Sequence, residues 1–136
     1  DEKIRIAANI FKETADKGNP SAQLRYGMCL WEGNGVGINT LEAFKYLKMA
    51  ANQGNSAAMY IVGKAYWKGG NGIEIDKRQG AEYLKKAASS NHPKAKEMCN
   101  ELALKYLKMA ANQENPAAMY IIGKAYLECW GWYRKR

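Results

Sequence analysis

Two segments of this chain are almost the same sequence. Residues 45–66 read KYLKMAANQGNSAAMYIVGKAY and residues 105–126 read KYLKMAANQENPAAMYIIGKAY, so they differ at three of 22 positions. Self-similarity of this kind is the signature of a stacked repeat, in which each unit packs against its neighbours. It also argues against an enzyme, because catalysis needs one singular constellation of side chains. We therefore expect a non-enzymatic repeat protein.

Two alternating motifs predict the repeating unit. In the first motif an Ala lies five residues before a Gly, which is followed three residues later by Tyr or Leu; its glycines are Gly27, Gly63 and Gly123. The second motif runs from an aromatic residue or Ile to an Ala, at residues 10–15, 46–51, 83–88 and 106–111. Apolar and small residues recur in both at the spacing of one helix face. Each motif is therefore predicted to be one helix.

A glycine-rich loop separates the two helices of a unit, at residues 33–39 and 69–76. Glycine there permits positive φ and ends the preceding helix, and Asn39 or Thr40, and Asp76, are candidate N-caps for the next one. Such a loop could also hold a phosphate, but phosphate loops follow a strand, whereas a helix precedes each of these. Structural turns are the preferred interpretation. Turns between units are expected around Gly18, Gly54 and Asn91, with new helices beginning near Pro20, Ser56, Pro93 and Pro116.

Together these positions resemble the Sel1-like repeat, a relative of the tetratricopeptide repeat. The resemblance is clearest at Ala58, Val62, Gly63, Tyr66, Gly69, Gly72, Ile73, Asp76, Gly80, Tyr83, Ala87 and Ala88. It implies an all-α fold, an αα superhelical solenoid that acts as a protein-interaction scaffold. We expect one solenoid domain made of a partial repeat with its second helix only (1–19), two repeats (20–55 and 56–92), a truncated or discontinuous third (93–115), and a partial fourth with a tail (116–136).

The repeat period fails once. The tyrosine that matches Tyr46 in the last copy is Tyr106, thirteen residues earlier than the period predicts. Either Pro93 to Asn112 is one long helix, or residues are absent between 99 and 104 and the backbone breaks near Asn100. A true end of the array followed by a new block is a third alternative. Absent residues are the favoured hypothesis.

The resemblance implies a superhelix in which the first helix of each unit usually lines the concave face. Side chains there that fall off the packing stripe are candidates for partner binding: Leu24, Met28, Trp31, Tyr60, Lys64, Trp67, Tyr120 and Lys124. Aromatic anchors flanked by lysines suit a protein partner. The alternative for Trp31 and Trp67 is that they only cover the glycine loop. Trp130 and Trp132 in the tail either fold back as a cap or contact another chain.

Charge and cysteine content limit the classes of function. The chain carries 21 Lys and Arg against 13 Asp and Glu, a net charge of +8, which favours a partner with an acidic surface. Nucleic acid is less favoured, because the lysines follow the repeated Tyr-Leu-Lys motif as a solvated helix face. There are three cysteines, an odd number, and they lie far apart in the sequence: Cys29, Cys99 and Cys129. His92 is the single histidine. We therefore expect reduced thiols, no metal and no cofactor.

The sequence thus predicts a non-enzymatic scaffold or adaptor in the cytoplasm, with no membrane insertion. The alternative is a structural component of a larger assembly, associated with the cytoskeleton and bound to an acidic filament surface such as microtubules. Unfinished repeats at both ends predict end-to-end contacts with neighbouring chains. Because the chain begins with Asp1 rather than Met, we expect it to be a fragment or a processed chain.

Overall fold

The computed structural model describes residues 1–111 together with 117, 120, 123 and 124, and for residues 103 and 106–111 it describes the backbone alone. Every named element in this part of the chain is a helix, which confirms the predicted all-α class. The helices are α1 (Glu2–Asp16), α2 (Pro20–Glu32), α3 (Thr40–Asn52), α4 (Ser56–Lys68), α5 (Lys77–Ser89) and α6 (Pro93–Ala111).

The turns between units lie where the sequence marks them. Gly18, Gly54 and Asn91 have φ of 98°, 96° and 64°, which stops the preceding helix. The next helix is capped by a side chain from the turn: Asn19 accepts from the amide of Ala22 at 3.0 Å, and Asn55 from that of Ala58 at 2.9 Å. These caps satisfy amides that lack a partner in the first helical turn.

The glycine loops are structural turns, as predicted. Gly33 and Gly69 have φ of 79° and 68°. A Cβ on Gly33 would lie 2.7 Å from Cγ1 of Ile38, and one on Gly69 would lie 2.5 Å from Cγ1 of Ile75, so both loops fold tightly on themselves. Asn39 caps α3 and Asp76 caps α5 by accepting from backbone amides at 3.1 and 3.0 Å, so Asn39 rather than Thr40 is the cap.

The two helices of a unit cross at a glycine. A Cβ on Gly27 would lie 2.9 Å from Cγ of Leu47, and one on Gly63 would lie 2.8 Å from Cγ of Leu84. Both leucines are fully buried. The repeated glycine is therefore required because the second helix packs directly on the backbone of the first.

Tyrosine hydroxyls join the second helices of successive units. Tyr46 of α3 donates to the carboxylate of Asp16 in α1 at 2.7 Å. One repeat later, Tyr83 of α5 donates to the side-chain carbonyl of Asn52 in α3 at 2.8 Å. Because the two bonds occupy equivalent positions, they fix the same stacking geometry at two successive junctions.

Helix α6 corrects the favoured hypothesis for the irregular junction. It runs without interruption from Pro93 to Ala111, through residues 99–104. The expected break near Asn100 is therefore wrong, and the alternative of one long helix describes this segment; Asn112 lies outside the described residues. No Gly or Pro occurs between Pro93 and Ala111, so nothing in this stretch stops helix propagation.

Candidate functional site: a groove along the first helices

Helices α2 and α4 bring several of the predicted binding residues into one depression. Met28 and Trp31 of α2 face Tyr60 and Lys64 of α4 across a cavity of about 290 Å³. The rest of the lining comes from α4 and the loop that follows it, namely Ile61, Ala65, Lys68, Gly69, Gly70 and Asn71. The sequence-predicted residues thus meet where the first helices of two successive units lie side by side.

A second depression, of about 470 Å³, lies between α4 and α6. It shares Tyr60, Lys64 and Lys68 with the first, so the two adjoin along these three side chains of α4. We call the two together the first-helix groove. Its remaining lining residues are Trp67, Lys94, Glu97, Met98, Glu101 and Leu102.

Tyr60 is the central aromatic residue of the groove and is held in place from two sides. Its ring stacks on the imidazole of His92, with centroids 4.8 Å apart and planes 17° from parallel. The ammonium of Lys64 lies 5.9 Å from the ring centroid on the same helix, within cation–π range. A half-buried tyrosine with fixed neighbours loses little entropy when a partner packs on it.

His92 supports Tyr60 because it is itself fixed as a cap. Its Nδ1 accepts from the amide of Ala95 at 3.3 Å, in the role that Asn19 and Asn55 play at the two preceding units. Burial, and then the charge of Lys94, lower the pKa of His92. His92 therefore lies at the start of α6 and supports Tyr60 beside the groove.

Trp67, one of the predicted binding residues, is buried. It is 6% exposed and belongs to the core, so it forms part of the floor of the groove and is not a projecting anchor. Lys77 covers it: the ammonium lies 4.1 Å from the ring centroid and donates to the carbonyl of Trp67 at 3.2 Å. The indole ring is therefore covered by Lys77, a residue of its own unit.

The other predicted binding residues have different positions. Leu24 is half-buried and packs against the core cluster; it lines neither depression. Tyr120 is 70% exposed and Lys124 is also exposed. Trp130 and Trp132, like Cys129, lie outside the described residues. Four of the predicted residues, Met28, Trp31, Tyr60 and Lys64, therefore line the groove, and the buried Trp67 lies at its base.

Sequence reasoning missed the contribution of α6. Glu97 and Glu101 follow Pro93 by four and eight residues, as Tyr60 and Lys64 follow Ser56. Aligning the starts of the first helices would have placed both glutamates in the groove. The two glutamates were not recognised as equivalent positions, because the aromatic residue and the lysine of one unit are replaced by two carboxylates in the next.

The described residues hold no group of three or more His, Cys, Asp or Glu side chains that could bind a metal. Cys29 is half-buried and Cys99 is buried, and neither forms a disulfide in this part of the chain. Burial raises the pKa of the Cys29 thiol, which keeps it protonated at neutral pH. None of the helices described is long and apolar enough to cross a membrane.

Comparisons with known proteins agree with this architecture. The family model described as Sel1 repeat matches residues 20–55, 56–92 and 100–115. The ERAD-associated E3 ubiquitin-protein ligase component HRD3B of Arabidopsis thaliana is 30% identical over 64% of this chain and 16% of its own. Chitin synthase regulatory factor 3 of Schizosaccharomyces pombe is 29% identical over 74% of this chain and 11% of its own. The chain therefore spans less than a fifth of either relative.

Two solved structures share the fold. The protective antigen c5321 of uropathogenic Escherichia coli, which displays an SLR fold, superposes with a TM-score of 0.68 at 33% identity, over 76% of this chain and 21% of its own. A Sel1 repeat protein from Oxalobacter formigenes superposes with a TM-score of 0.64, also at 33% identity, over 68% of this chain and 26% of its own. With its glycine crossings, glycine loops and matched residues, the chain belongs to the Sel1 repeat family.

Proposed function

We propose that this chain is a non-enzymatic adaptor domain, which binds a segment of a partner protein along the first-helix groove. The observation that supports this most directly is the groove itself, two adjoining depressions in which Trp31 and Tyr60 lie beside Lys64 and Lys68. Partly exposed aromatic side chains in a preformed depression are the usual centres of binding energy at protein interfaces. Flanking charges add specificity and speed association.

The relatives support the same class of role. One is named as a component of a ubiquitin ligase and the other as a regulatory factor of a synthase, so both names describe proteins that act with other proteins. The proposal extends that role to this chain. A cytoplasmic location and a partner with an acidic surface remain predictions from the cysteines and the net charge of +8. End-to-end contacts also remain a prediction, for which α1 offers Ile6 and Ile10, 52% and 56% exposed.

The alternative role, as a structural component on an acidic filament, is less well supported. It rests on the net charge of +8, which an extended acidic surface would attract. The groove, however, carries Glu97 and Glu101 beside its lysines and is therefore not a uniformly basic surface. The adaptor role uses the geometry of the groove as well as the charge, and we prefer it for that reason.

Site-specific photo-cross-linking tests the adaptor proposal. A benzophenone amino acid replaces Tyr60 in the groove or, as the matched control, Glu82, which is exposed on α5 and lines neither depression. Both proteins are expressed in the native host and linked peptides are identified by mass spectrometry. We expect one partner segment to link at position 60 and not at position 82, and Trp31→Ala to reduce its yield. Equal yields at the two positions, or no effect of Trp31→Ala, would contradict binding in the groove.

A further inference from the structure

The chemistry of the first-helix groove changes from one end to the other. At the α2 end the lining residues from α2 are Met28 and Trp31, and Ile61 of α4 completes an apolar seat. In the middle, Lys64 and Lys68 line both depressions. The groove is therefore apolar first and cationic second.

At the α6 end the groove gains carboxylates. Glu97 and Glu101 line the second depression and not the first, and both are exposed. They lie four residues apart, so they are neighbours on one face of α6. The second depression as a whole has three lysines against these two glutamates, but the side that α6 contributes has two carboxylates and one ammonium, that of Lys94. From α2 to α6 the contributing side chains are therefore apolar, then cationic, then carboxylates in excess over ammonium.

We propose that the groove binds an extended partner segment that carries an apolar, then an acidic, then a basic side chain, in that order from α2 to α6. This inference rests on the proposed function and specifies the partner beyond a generally acidic surface. The apolar side chain fills the seat of about 290 Å³ between α2 and α4. The acidic side chain lies opposite Lys64 and Lys68, and the basic one opposite Glu97 and Glu101.

The helix spacing sets the distance between the recognised side chains. Directly packed helices lie about 8–10 Å apart, and an extended chain advances about 3.3 Å per residue. The first helices flank depressions and are not among the closely packed pairs, so neighbouring depressions are at least about three residues apart. The apolar and basic side chains are therefore separated by at least about three residues, with the acidic one between them. Because opposite charges meet along the groove and like charges repel, one orientation of the segment is preferred.

A phage library of random dodecapeptides, selected on the immobilised chain, tests this order. The first variant is Glu97→Lys with Glu101→Lys, and the second is Lys64→Glu with Lys68→Glu. The matched control, Glu13→Lys with Glu82→Lys, changes the net charge as much as the first variant does, at exposed positions outside the groove. Circular dichroism melts verify that each protein is folded before selection.

We expect the wild type and the control to enrich peptides with the apolar–acidic–basic order. The first variant should replace the basic preference with an acidic one, and the second should replace the acidic preference with a basic one. Peptides that are enriched but uniformly acidic, or that do not change with the groove charges, would overturn the proposed order and leave the adaptor role standing. No enrichment over blank beads for the folded wild type would contradict the adaptor role itself.

Discussion

Replacing Gly63 with alanine tests the claim that the second helix packs on the backbone of the first. The new Cβ would lie 2.8 Å from Cγ of Leu84, 3.0 Å from its amide nitrogen and 3.0 Å from the carbonyl oxygen of Gly80. Two of these three atoms are backbone atoms, and the third is the branching carbon of a fully buried side chain. The contact cannot be relieved by a rotamer change alone, so α4 and α5 must separate.

The expected magnitude follows from two opposing effects. Overpacking of a close-packed core costs about 1–3 kcal/mol, and backbone contacts place this site near the upper end. Alanine in a helix interior is favoured over glycine by about 1 kcal/mol, which offsets part of that cost. We therefore expect Gly63→Ala to lower the free energy of unfolding by about 2 kcal/mol. For a domain of this size that corresponds to a fall in Tm of about 8 °C.

The measurement is a thermal or urea melt followed by circular dichroism, with Gly37→Ala as the control. Gly37 lies in the first glycine loop but does not itself have a positive φ, and a Cβ there would meet no atom within 4 Å. That change should be neutral or stabilising by up to about 1 kcal/mol, because alanine reduces the entropy of the unfolded chain. If Gly63→Ala is as stable as Gly37→Ala, the close-packing explanation of the repeated glycine is refuted.

A double-mutant cycle with Leu84→Ala separates this clash from a general loss of helix stability. Alone, Leu84→Ala removes a fully buried side chain and should cost about 2–5 kcal/mol. In the Gly63→Ala background the same truncation also relieves a contact, so the two losses should fall short of additivity by at least about 0.5 kcal/mol. Strict additivity in urea melts would show that the two groups do not compete for space.

Three further perturbations test the caps and junctions. Because the pKa of His92 is lowered in the folded state, its contribution to stability is complete above the unfolded pKa of about 6.5 and is lost as the pH falls through the folded value. His92→Asn restores the cap found at Asn19 and Asn55. This substitution should remove the pH dependence of the Tm that His92 causes between about pH 5 and 8. Asn55→Ala should cost about 1 kcal/mol in a urea melt, whereas Asn55→Ser should cost far less, and equal losses would argue against a capping role. Tyr83→Phe removes the hydroxyl that Asn52 accepts and should cost about 1 kcal/mol, so an unchanged Tm would show that this junction does not depend on the bond.

Local signals made most of the fold predictable from the sequence. The turns, glycine loops and caps depend on residues within a few positions of one another, and Asn39 and Asp76 cap the helices that follow them. The long helix α6 was harder, because the failure of the repeat period led to the expectation of absent residues and a backbone break near Asn100. The absence of any Gly or Pro inside residues 94–110 was the better indicator.

Burial that depends on distant residues was less predictable. Trp67 matches Trp31 in position, but Lys77, the first residue of α5, lies over it and it is buried. Gln23 is a polar residue at 0% exposure, stabilised by donating to the carbonyl of Ala15 and accepting from the side chain of Gln53. Each of these outcomes is decided by a partner that lies 8 to 30 residues away in the sequence.

The tyrosine bonds between second helices separate two tasks within each repeat. Tyr46 and Tyr83 hold successive units together from the second helices, whereas the groove is lined almost entirely by first helices. Under the proposed role, substitutions at the exposed charged positions Lys68, Glu97 and Glu101 would change what is recognised without altering these bonds. The apolar groove residues also pack against the core, and the stacked pair of Tyr60 and His92 joins the groove to the start of the next first helix. Under that role the partner could therefore be diversified at the charged positions, while a change at the Tyr60–His92 pair would also affect the stability of the next unit.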